Sequence, residues 1–243
     1  SNEGDNTWSI YATDDLNTTN SDTVSFWIDS IFPIINLLVP SSNPYYTNQN
    51  FFTITALLTE LNIKKYNTKD MKIETLEPSW NTPAVNYFDS NTPFNYPPSG
   101  NLNEEGSHNY TIYARDKYPD GSLIREINLA GIIIRDVTAP TITDDYSNDG
   151  VWVNLDQIVT LTPLDALSYI GDVKFCEGVA CDPSIGTILG IPYQLNYIFD
   201  QDTIVRYQVW DLATNPSAVG TYNVKLDKTK PVTTNNYLFN GTW

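Results

Sequence analysis

Ile134-Arg135-Asp136-Val137-Thr138-Ala139-Pro140 ends one strand and opens the next, and the chain writes this junction three times. Trp27-Ile28-Asp29 is followed by Pro33 and Lys225-Leu226-Asp227 by Pro231, so each apolar strand ends in Asp with Pro four residues on. Upstream of each junction lies a second copied strand: Ser9-Ile10-Tyr11-Ala12-Thr13-Asp14, Thr111-Ile112-Tyr113-Ala114-Arg115-Asp116, and the looser Arg206-Tyr207-Gln208-Val209-Trp210-Asp211. A supersecondary unit recurring at long spacing is the mark of an array of like modules. The spacing is roughly 100 residues, the size of a β-sandwich module that buries a core of its own. The expected division is residues 1–32 as the C-terminal strands of a truncated module, 33–139 and 140–230 as complete sandwiches, and 231–243 as the first strand of another.

The two ends support that division. Residues 1–30 read as the last two strands of a module whose beginning is absent. Thr143-Asp144-Asp145-Tyr146-Ser147-Asn148-Asp149-Gly150-Val151-Trp152 opens the second complete module, and residues 234–243 match it in register at Thr, Tyr, Gly and Trp. The chain therefore reads as an excerpt from a longer array.

Between the junctions the apolar pattern alternates with period 2, bounded by Asn, Gly, Pro and Asp clusters, which is the strand signal. Strands are expected near 34–38, 51–58, 71–76, 85–88, 109–115 and 127–135 in the first module. In the second they are expected near 141–143, 157–164, 173–177, 193–199, 204–210 and 220–226. No window keeps a capped helical stripe, so the fold class is all-β: tandem immunoglobulin-like sandwiches arranged end to end. Pro fixes φ and removes a donor, so it suits the first residue of an edge strand. The three residues between Asp and Pro are too few for independent domain motion, which predicts a stiff connection.

The formal net charge is -16, from 29 acidic and 13 basic residues. That excludes nucleic acid, whose binding rests on Lys and Arg neutralising phosphates, and an anionic membrane surface. It is compatible with divalent cations or with solubility alone. No stretch approaches the roughly 20 apolar residues of a membrane helix; Ile31 to Val39 is broken by Pro33 and Asn36. Direct membrane insertion of this segment is not expected.

The strand ending in Asp, the closing strand and the Asp-x-Thr-x-Pro junctions at Asp136–Pro140 and Asp227–Pro231 resemble tandem immunoglobulin-like or fibronectin III-like repeats of archaeal and bacterial cell-surface proteins. Asp211-Leu212-Ala213-Thr214-Asn215 is similar to that family's Asp-x-Ala-Gly-Asn turn, with Thr214 where Gly is usual. Asp116-Lys117-Tyr118-Pro119-Asp120-Gly121 departs from it and is longer. The resemblance covers essentially the whole chain and is specific for architecture, since this sandwich hosts many roles. It implies an extracellular structural segment, a stiff rod in a stalk, surface layer or filament. Its partners would be neighbouring modules and copies of itself. The alternative is an adhesin or carbohydrate-binding segment that contacts surface glycans.

Four groups of residues are candidates for chemistry. Cys176 and Cys181, the only cysteines, flank a short Gly-containing loop. Two Cys alone make a poor zinc site, which leaves a disulfide or two thiols; the resembling repeats often carry a Cys pair on this hairpin, which favours the disulfide. Six carboxylates recur with the modules. Glu60 and Asp165 follow the second strand, Asp116 and Asp211 close the sixth, and Asp29 and Asp136 sit at the preceding junction. In an immunoglobulin-like sandwich these positions share one end, which groups Asp29 with Glu60 and Asp116, and Asp136 with Asp165 and Asp211. Three carboxylates with loop carbonyls suit structural Ca2+; the alternative is that each Asp caps its own turn. Asn17, Asn109 and Asn240 begin Asn-x-Ser/Thr sequons and are candidate glycosylation sites. Trp80, Tyr87, Phe88, Phe94 and Tyr96 lie in a Pro-rich stretch that is either a core-covering loop or a glycan or partner contact. One His, no nucleophile elbow and no phosphate loop leave nothing that points to an enzyme.

Overall fold

The computed structural model describes residues 3–28, 30–59, 68–75, 94–102, 104–117 and 123–234. Two compact units divide between Arg135 and Asp136. The first opens with a hairpin, β1 (Gly4–Thr13) and β2 (Thr19–Ile28). It continues through β3 (Ile34–Val39), β4 (Tyr45–Thr47), β5 (Phe51–Thr59), β6 (Thr68–Thr75), β7 (Phe94–Asn101), β8 (Gly106–Lys117) and β9 (Leu123–Arg135). The second contains β10 (Thr141–Asp144), β11 (Trp152–Val153), β12 (Gln157–Leu164), β13 (Ile170–Glu177), β14 (Thr187–Ile188), β15 (Gln194–Tyr197), β16 (Gln201–Asp211) and β17 (Gly220–Leu226), with a 3-10 turn at Pro183–Ile185.

Both units repeat one plan. A three-stranded sheet, β3-β5-β7 or β10-β12-β15, faces a larger one, β4-β9-β8-β6 or β11-β17-β16-β13-β14. In each, the opening strand pairs antiparallel in the smaller sheet, and the chain then crosses to lie parallel to the last strand of the other, as Tyr46↔Ile134 and Trp152↔Lys225. The alternating pattern turns one face of each sheet inward. Phe52, Ile54, Ala56 and Leu58 of β5 are buried with Tyr110, Ile112 and Ala114 of β8. Val159 and Leu161 of β12 are buried with Val205, Tyr207 and Val209 of β16 and Tyr222, Val224 and Leu226 of β17. Each unit thus has a core of its own.

A cross-strand pair recurs in both cores. Tyr110 lies opposite Gly131, and Tyr207 opposite Gly220. A methyl group on Gly131 would sit 2.2 Å from the Tyr110 ring, and one on Gly220 2.1 Å from the Tyr207 ring. The glycines are there because the tyrosine rings lie flat across the neighbouring strand.

In the hairpin β1–β2, Trp8 and Ile10 are 66% and 61% exposed, while Tyr110 and Ile112 at the matching positions of the similar strand β8 are 1% and 0%. Trp8 packs edge-on against Phe26 with centroids 4.8 Å apart.

Several elements differ from the sequence expectation. β4 and β11 are two- or three-residue parallel strands, too short to show a period. The Pro-rich stretch that carries Phe94 and Tyr96 runs into β7, which holds Pro97 and Pro98 in a strand. It is an edge strand, and the pairing shifts register between Phe52 and Ile54, so the missing donors interrupt no continuous ladder. The strand expected near 85–88 lies outside the described residues. Among the described residues, no helix is long and apolar enough to cross a membrane.

Candidate metal centre in the second unit

The second unit gathers Asp136, Asp165 and Asp211 with ligand oxygens all within 4.8 Å of one another. Asp136 and Asp211 are buried, at 0% and 3% exposure. The convergence follows from where the strands end. Asp136 precedes β10, Asp165 terminates β12, and Asp211 closes β16, all at one pole of the sandwich.

Each carboxylate also caps its own turn. Asp136 Oδ1 accepts from Thr138 N at 2.9 Å, and Asp165 Oδ2 accepts from Leu167 N and Ser168 N at 2.9 and 2.7 Å. Asp211 Oδ1 accepts from Asn215 N, and Oδ2 from Asn215 Nδ2, both at 2.8 Å. Capping and convergence coexist. Pairwise repulsion at this separation is about 3–4 kcal/mol at the effective dielectric of a protein surface region. The capping N–H groups offset part of it.

Asn215 and Ser168, which the sequence did not mark, belong to the capped turns. The Asn215 side-chain amide, besides bonding Asp211, donates to the Asp136 carbonyl at 2.8 Å across 79 residues. It ties the turn after β16 to the strand entry. Ser168 is fully buried, and its hydroxyl finds no hydrogen-bond partner. Its sequence signal was nil, because a Ser three residues past an Asp is common in turns. Thr214 holds φ 73°, a left-handed conformation that Gly adopts more readily than Thr.

The other carboxylate trio is not visible as a group. Asp29 and Glu60 lie outside the described residues, and Asp116 is in β8 with its side chain outside them. Asn17 sits exposed at the β1–β2 turn with φ 61°. Asn109 is exposed in the middle of β8, opposite Ile132. Asn240 lies outside the described residues, as do Trp80, Tyr87 and Phe88; Phe94 and Tyr96 are positions of β7, opposite Ala56 and Ile54.

Cys176 at the end of β13 is joined to Cys181 by a disulfide with Cα atoms 6.0 Å apart. Asp182 N-caps the following 3-10 turn, accepting from Ser184 N at 2.9 Å, and these hydrogen bonds hold its carboxyl below the usual range.

Taken together, the chain contains two β-sandwich units, one of them with a covalently closed hairpin loop. No family model matches the chain. No curated protein matches it. Among solved structures, it is similar to fibronectin(III)-like modules of Clostridium thermocellum CbhA, with 14% identity, a TM-score of 0.43, and coverage of 84% of this chain and 100% of that one. It is also similar to the FN1-FN3 domains of chicken CNTN1, with 8% identity, a TM-score of 0.36, and coverage of 90% and 77%. A Salmonella alpha-2-macroglobulin matches at 10% identity and a TM-score of 0.28, over 90% of this chain and 18% of its own length.

Proposed function

We propose that this chain is a structural segment of a large extracellular protein, its modules forming a stiff rod in a cell-surface stalk, surface layer or filament. The observation that carries the reading is the repeated plan: self-contained cores joined by a spacer of three residues between Asp and Pro. The disulfide supports an oxidising location outside the cytoplasm. The reading assigns no catalysis. Electron microscopy of native material labelled with antibodies against this chain tests it. Label on regular surface polymers or stalks is expected; label confined to the cell interior refutes it.

A structural Ca2+ at the Asp136, Asp165 and Asp211 cluster is the second element of the proposal. It is favoured by the convergence of three carboxylates within 4.8 Å, two of them buried. Calcium takes six to eight oxygens at flexible geometry, of which the three carboxylates would supply a part. At a hundredfold excess over its Kd, calcium should stabilise the unit by about 2.7 kcal/mol. Melting in chelator, then with added CaCl2 or MgCl2, reads this directly. A melting temperature that calcium leaves unmoved, with no titration heat, sinks the metal.

A further inference from the structure

The turn before β11 is fastened to β17, which makes Trp152 a fixed platform. Val151 N donates to Asn148 O at 3.0 Å, and Gly150, with φ 71°, donates to Asn223 O at 2.9 Å. Asp149 Oδ1 accepts from Asn223 N at 2.7 Å. Beyond the turn, Trp152 pairs with Lys225, and Asp227 N donates to Val153 O at 2.9 Å. Trp152 is nevertheless 55% exposed. It borders an open cleft of about 490 Å³ whose other walls include Asn148, Asn154, Gln157 and Asp227.

The polar groups of this cleft are partly committed and partly spare. Asn148 Nδ2 bonds Gln157 Oε1 at 2.9 Å, which fixes both amides. Asp227 spends Oδ1 on Thr229 N at 2.9 Å and keeps Oδ2. The Asn154 side chain, exposed at the rim, makes no hydrogen bond among the described residues. An exposed ring, an amide and a carboxylate oxygen without partners among the described residues thus border one cleft.

We propose that this cleft binds a neutral hexose unit of a glycan. A pyranose presents a slightly positive C–H face that matches the negative face of an indole. Its rim hydroxyls donate and accept, which suits an amide with both functions beside a carboxylate that accepts. Lys225 Nζ lies 5.8 Å from the Trp152 centroid, so the sugar takes the opposite face of the ring. Asp227 at the rim and the net charge of -16 repel sialylated or sulfated glycans. Because the platform is held by backbone bonds to β17, little ordering is lost on binding. One ring and two or three hydrogen bonds give a weak site, with Kd on the order of millimolar, raised by multivalent display.

A multivalent array of neutral gluco-, manno- and galacto-oligosaccharides, with sialylated and sulfated controls, tests the site on the whole chain. Retention of at least one neutral class and none of the anionic ones is expected. Trp152→Ala should lower affinity for the retained glycan at least tenfold, Trp152→Phe less, and Asn154→Ala about threefold to tenfold. Binding of no neutral glycan, preference for anionic ones, or unchanged affinity in Trp152→Ala overturns the proposal. If Trp152→Ala shifts the melting curve, Trp152→Phe and Asn154→Ala decide, and unchanged affinity in both overturns it. None of these outcomes bears on polymer formation, so the site stands or falls separately from the rod.

Discussion

Replacing Asn215 by Ala should destabilise the second unit by about 3 kcal/mol. The side chain is 8% exposed and makes two bonds of 2.8 Å, to the Asp136 carbonyl and to Asp211 Oδ2. Stranding a buried carbonyl costs about 1–3 kcal/mol, and a bond to a buried carboxylate contributes about 1.5–3. The lower half of that sum applies, because the truncated side chain leaves room for a water to reach Asp211. Asn215 N and its bond to Asp211 Oδ1 survive, so the turn itself should persist. A change of this size lowers the melting temperature of a 100-residue domain by roughly 12–24 °C. Differential scanning calorimetry of the whole chain measures it, with Asn215→Asp as the companion. That variant loses the donor and adds a charge beside Asp211, so it should be at least as costly as Ala. A loss below about 1 kcal/mol, or a wild-type Asn215→Asp, would falsify the claim that this amide holds the strand entry to the turn.

Gly220→Ala should cost about 1–3 kcal/mol by overpacking against Tyr207, and Tyr207→Leu in the same chain should recover part of it; a neutral Gly220→Ala in urea unfolding would show that the ring relaxes freely. Burial raises the phenols of Tyr197, Tyr207 and Tyr222 above the tyrosine range, helped for Tyr207 by Asp144 and for Tyr222 by its bond to Tyr197. The unfolded chain ionises near pH 10, so stability is complete below that pH. Above it, stability falls by about 1.4 kcal/mol per pH unit for each tyrosine until the folded phenols titrate. Urea midpoints between pH 9 and 11.5 read this slope, and Tyr222→Phe should make it shallower; a flat profile contradicts the burial account.

The candidate site was half legible in the sequence. Asp136, Asp165 and Asp211 each end a strand, and strand ends of one parity fall at one pole of a sandwich, so their grouping could be read from repeat position alone. Ser168 could not, because its burial depends on what packs over the turn. Nor could the bond of Asn215 to Asp136, since the two residues are 79 apart and no local pattern links them. β7 was hidden because Pro97 and Pro98 read as loop, and only an edge position with a register shift accommodates them.

The sequence by itself determined the all-β class, because that rests on local alternation and on residues with fixed backbone preferences. Tertiary structure alone decided which strand each segment pairs with. The two-residue β11 has no period to read, yet its parallel pairing with β17 fixes Trp152 in place. It also decided what covers each face: Tyr110 and Ile112 of β8 are buried together with Phe52 and Ile54 of β5, in the opposing sheet, and no strand encodes its own partner.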